Sequence, residues 1–135
     1  MKSFNRAIVY FSAFTLFGIF YSCKDDISYH YFMIEIDEII APDTLTLNEP
    51  FDIYMKGLIG VNGCYQFSEF KTLEKENELV IEAWGKINKI STICTDQMVY
   101  LDNEPLNYHI KESGIFSIKV KQPTGSYIEK KVFVE

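Results

Sequence analysis

Residues 50–57, PFDIYMKG, set Phe51, Ile53 and Met55 on one side of an extended chain and Asp52, Tyr54 and Lys56 on the other. A period of two fits a strand with one buried face and one wet face, and it does not fit a helix. The pattern recurs. Leu79, Ile81 and Ala83 oppose Val80, Glu82 and Trp84, while Phe116, Ile118 and Val120 oppose Ser117, Lys119 and Lys121. Turn-forming residues separate the runs: EKENE lies between 64–73 and 79–87, DNEP between 93–101 and 106–110, and PTGS between the last two runs. YFMIEIDEII, residues 31–40, reads as a first strand that stops before Pro42. Seven or eight short strands with no helical periodicity after residue 23 predict an all-β sandwich or barrel. Gly57, Gly60 and Gly63, with Asn62, read as a loop whose backbone needs positive φ. If Tyr65 and Phe67 face the core, Cys64 falls out of phase, so a bulge or strand end is expected near Gly63.

The first 26 residues follow a different rule. Lys2 and Arg6 precede an uncharged run, Ala7 to Phe20, which ends in Ser22, Cys23 and then Lys24, Asp25 and Asp26. A basic start, an apolar core and a small residue at its end make an export signal. The 16 residues from Ala7 to Ser22 fall short of the roughly 20 that a helix needs to cross a bilayer core. With a cysteine at the border, the stretch resembles a bacterial lipoprotein signal. That resemblance implies an N-terminal signal helix over 1–22, removal of that segment, a lipid on Cys23, and a tether over 23–30 ahead of a β domain at 31–135. One acyl chain holds a protein at a membrane only marginally, and such lipoproteins carry two or three. An ordinary secretory signal and an uncleaved anchor are the competing readings. Lys24, Asp25 and Asp26 resemble the short charged signals that send some lipoproteins to the outer face of the outer membrane; the plainer reading is a solvated tether. Gly114, an alternating strand, a turn and a final alternating strand resemble the close of immunoglobulin-like domains in exported bacterial proteins. The expected fold is therefore a single immunoglobulin-like antiparallel β-sandwich.

Without residues 1–22 the chain keeps 113 residues, with 11 Lys against 19 acidic side chains and no Arg, a net charge near −8. Nucleic-acid affinity depends on clustered Lys or Arg against phosphate, so this balance argues against a nucleic-acid partner. It also discourages attraction to an anionic lipid surface and leaves the lipid on Cys23 as the membrane attachment. Two cysteines remain, Cys64 and Cys94, and in an exported chain such a pair predicts a disulfide. Zinc would need two further ligands, and His30 and His109 are far from both cysteines in sequence.

No hydrolase elbow, phosphate loop, zinc helix or calcium loop occurs in the sequence. His109 as a base would need an orienting partner that the sequence does not supply, and acids such as Asp37, Glu38, Glu74, Glu76 and Glu78 suit the soluble edges and tips of sheets. Neither catalysis nor a metal or organic cofactor is therefore expected. Tyr54 and Trp84 stand opposite the apolar stripes and are the candidate ligand contacts, for a glycan or an envelope protein. Thr44, within Asp43-Thr44-Leu45, resembles the acceptor of a short bacterial O-glycosylation signal. The leading expectation is a non-enzymatic, lipid-anchored envelope protein serving as a binding or structural module. The alternative is an exported protease inhibitor or glycan-binding domain acting through the Gly57–Gly63 loop.

Overall fold

The alternation that begins at Glu78 runs through eleven residues and makes the spine of the larger sheet. A computed structural model describes residues 28–91 and 93–135; the expected signal segment, the expected lipid site Cys23 and most of the expected tether lie outside them. In chain order the strands are β1 (Tyr29–Met33), β2 (Glu38–Ile40), β3 (Thr44–Leu45), β4 (Phe51–Gly60), β5 (Tyr65–Lys75), β6 (Glu78–Asn88), β7 (Val99–Leu101), β8 (Leu106–Tyr108), β9 (Gly114–Lys121) and β10 (Tyr127–Val134). β5 pairs with β6 along nearly all of its length, from Lys75↔Glu78 to Tyr65↔Ile87. The opposite edge of β6 is shared: β9 takes Glu78 to Ile81 and β1 takes Trp84 to Asn88. β10 and then β3 extend this sheet beyond β9. In the smaller sheet β4 is the hub, pairing with β2 over 54–56, with β8 over 51–53 and with β7 over 57–60.

The described chain is all-β in two sheets that share one core. Leu79, Ile81 and Ala83 from β6, Ile118 and Val120 from β9, and Ile53 and Met55 from β4 are buried in a single cluster. Each fully buried aliphatic side chain of this kind stabilises the fold by about 1.5–3 kcal/mol relative to exposure. The expectation of purely antiparallel pairing is corrected at two places, because β6 with β9 and β10 with β3 run parallel. Between Asn88 and Gly114 the chain leaves to build β7 and β8 in the other sheet. A return path of that length allows the next strand to re-enter in the same direction.

The single strand expected over 31–40 is two strands. Ile34 N–H donates to Ala83 O and Asp37 N–H to Lys56 O, so the chain crosses from the larger sheet to the smaller between them. The crossing is held by Gln122, buried at the end of β9, whose side-chain oxygen accepts from Ile36 N–H at 3.0 Å and whose amide donates to Ile36 O at 3.3 Å.

Gly57 and Gly60 do not form a loop; both belong to β4, and neither has positive φ. Small size is what these sites require. A Cβ on Gly57 would lie 2.2 Å from Glu35 O, and one on Gly60 would lie 2.0 Å from the Tyr65 ring. The strand end expected near Gly63 is present, with β5 starting at Tyr65. A bulge between Phe67 and Glu69 then resets the phase of β5. As a result Tyr65, Phe67 and Phe70 all turn inward against the core, with the Phe67 and Phe70 rings 4.7 Å apart. The terminal hairpin turns on PTGS as expected, with Gly125 at φ +86° and Gln122 N–H bonded to Ser126 O.

Candidate functional site

Alternation along β6 sends Glu78, Glu82, Trp84 and Lys86 out of the larger sheet, opposite the buried Leu79, Ile81 and Ala83. Cross-strand register adds Lys71 beside Glu82, Glu69 and Met33 beside Trp84, and Tyr31 beside Lys86. Trp84 is fastened in this row. Its indole N–H donates to Glu82 Oε2 at 3.1 Å, and Lys71 Nζ lies 4.7 Å from the ring centroid. Glu82 Oε1 accepts from Lys121 Nζ at 2.8 Å. Hydrogen bonds from Lys121 and from Trp84 hold the Glu82 carboxyl below the usual carboxylate range. One ring face and the only polar atom of Trp84 are thus already engaged. Glu82 as a partner was legible, since it stands two residues before Trp84 on the same strand face. Lys121 was not, because it arrives through the parallel pairing of β6 with β9.

Tyr54 projects from β4 beside Ile40, on the side of the smaller sheet away from the shared core. The two candidate ligand contacts therefore stand on different sheets, each turned away from the core, and do not form one platform. Trp84 also does not pack on the disulfide. That bond joins Cys64, just before β5, to Cys94 in the β6–β7 connection, with Cα atoms 5.2 Å apart and a sequence separation of 30. It is reinforced by Gly63 N–H donating to Thr95 O at 2.9 Å.

Thr44 is exposed on β3, opposite Phe133, and the adjacent Asp43 carboxylate accepts from Lys130 at 2.7 Å. The inhibitory loop expected at 57–63 reduces to the short turn 61–64, since the first part of it is strand.

A cleft of ≈ 290 Å³ opens between the sheets where the β5–β6 hairpin overhangs the core, lined by Glu74, Asn77, Tyr108, Ile110, Glu112 and Phe116. Burial and the facing Glu74 carboxylate push the Tyr108 phenol up to about 12. His109 is exposed beside this cleft and does not line it. Among the described residues no group of three or more His, Cys, Asp or Glu side chains converges as a metal site. Compared with protein-family models, curated proteins and solved structures, the chain gives no match.

Proposed function

We propose that this chain is a lipid-anchored cell-envelope protein whose two-sheet domain serves as a binding or structural module rather than an enzyme. The observation that supports it best is the Cys64–Cys94 bond behind a leader that ends in Cys23. Disulfides persist in exported compartments and are rare where thiols are kept reduced, so the bond and the leader point to the same address by independent chemistry. In this reading Cys23 carries the lipid, and Lys24, Asp25 and Asp26 direct the protein to the outer membrane. The finer fold reading is an immunoglobulin-like sandwich. It draws support from the terminal β9–β10 hairpin and the common core of two sheets, and fold alone assigns no ligand.

The test is the intact mass of protein extracted from its own membranes, beside a Cys23→Ala variant. The expected mass corresponds to loss of residues 1–22 together with diacylglycerol and an amide-linked acyl chain, all absent from the variant. An unlipidated or uncleaved product in the native sample defeats the proposal.

A further inference from the structure

The chain enters the described domain at Ser28, and its carbonyl accepts from Lys89 N–H at 3.0 Å. This fixes the start of β1 beside the β6–β7 connection. The same end of the molecule carries exposed apolar side chains: Ile93 is 88% exposed, Ile90 60%, Val61 56% and Met98 54%. They are not scattered. Val61 is in the 61–64 turn, which the disulfide and the Gly63–Thr95 hydrogen bond fasten to the segment carrying Ile93. Met98 directly precedes β7, whose first residue pairs with Gly60 at the end of β4. A braced tip of exposed aliphatic residues costs solubility unless something covers it.

Sequence distance indicates what does. Five residue steps separate Cys23 from Ser28, so Cys23 lies within at most about 18 Å of Ser28, whose carbonyl is bonded to Lys89 at the start of the segment carrying Ile90 and Ile93. We infer that the tip formed by Val61, Ile90, Ile93 and Met98 docks on the bilayer surface that holds the lipid. This rests on the anchor reading above. Tyr31 on β1, 53% exposed, stands opposite Lys86, and Lys89 directly follows β6. Tyrosine and lysine suit the headgroup layer, the ring straddling the apolar boundary and the ammonium reaching back to water. Lys86, Lys89 and Asp96 leave this end with a net charge of only +1, so the contact is mainly apolar and suits a zwitterionic surface. The acids of the Glu74–Glu112 cleft belong to the other end of β6, at the β5–β6 turn, and are held away from that surface.

The experiment uses the native lipoprotein reconstituted into phosphatidylcholine vesicles that contain a phosphatidylcholine with a photoactivatable group in its acyl chain. Lipid adducts are mapped by peptide mass, and the intact mass of the same sample is recorded. Adducts are expected on peptides containing 61–64 and 89–98, and not on those containing 74–77 or 111–112. Ile90→Asp with Ile93→Asp should lower tip labelling roughly tenfold or more, since it replaces two apolar contacts with charges that disfavour the acyl layer. An unchanged unfolding temperature checks that this variant is folded. A lipidated protein with evenly spread adducts, or with adducts only on the tether, overturns the docking alone. A sample of unlipidated mass overturns the anchor and the docking together.

Discussion

The two ends of the β6 spine are held by opposite means. At the tether end, residues 89–91 and 93–98 are all exposed, and the segment keeps its place through one covalent bond and a few backbone hydrogen bonds. At the far end Phe116 and Ile110 are buried, and the Tyr108 ring meets Phe51 edge-on and Phe116 at a tilt, with centroids 6.3 and 6.1 Å apart. A stretch with little to bury depends on restricting the unfolded chain, whereas a stretch rich in aromatics depends on packing. The difference teaches that exposed apolar residues at the tether end contribute little to the fold, which leaves them free for contact outside it.

The largest expected effect is at the packed end. Phe116→Ala removes a buried ring from between the sheets and is expected to cost about 3–5 kcal/mol. The measure is urea unfolding followed by tyrosine and tryptophan fluorescence. A loss below about 1 kcal/mol would show that the cleft beside Phe116 collapses freely and that packing is not what holds this end.

Next comes the covalent end. Cys64→Ser with Cys94→Ser is expected to cost about 3–4 kcal/mol by the loop-closure account. The loss should have a local signature: amide exchange rises in 61–64 and 89–98, while the β9–β10 hairpin keeps its protection relative to global stability. Combined with Phe116→Ala, the two losses should add to within about 0.5 kcal/mol if the ends share no contacts. A larger departure from additivity breaks the comparison, because it means that the disulfide and the aromatic cluster support one unit.

What the sequence made legible follows the same division. The two hairpins and the faces of β4, β6 and β9 could be read because each residue's side is decided by its immediate neighbours. The Cys64–Cys94 pair could be read from the two cysteines that follow the expected leader and lipid site. Parallel pairing of β6 with β9 could not, since register between distant strands leaves no local pattern. Gly57 and Gly60 were misread for a related reason. The sequence displays a residue without a side chain, and only the fold shows that the missing Cβ makes room for Glu35 O or the Tyr65 ring. Gln122 looked like an ordinary strand end, and its two bonds to Ile36 cross 86 positions. The candidate site was legible residue by residue but not as an arrangement. Trp84 does stand on the outward face, while its separation from Tyr54 is a property of the two sheets.

The smallest effect separates the ends by pH. Tyr108 titrates at about 12 in the folded protein against an ordinary value of 10.0. Its raised value is caused first by burial and then by Glu74. A phenol that ionises later in the folded state than in the unfolded one leaves stability unchanged below pH 10. Above that the unfolded chain releases its proton first, and the contribution is lost as pH rises from about 10 to about 12. Other tyrosines and the lysines titrate in the same window, so the informative quantity is the difference between the native protein and Tyr108→Phe. The variant should gain on the native protein steadily from pH 10 to 12 in chemical denaturation, and exchange in the native protein should rise first near Tyr108 and Phe116. Because Tyr108 lies at the other end of β6, 61–64 and 89–98 should keep their relative protection in both proteins. Parallel stability curves over that range would mean that Tyr108 is solvated, and that the far end is no drier than the end braced by the disulfide.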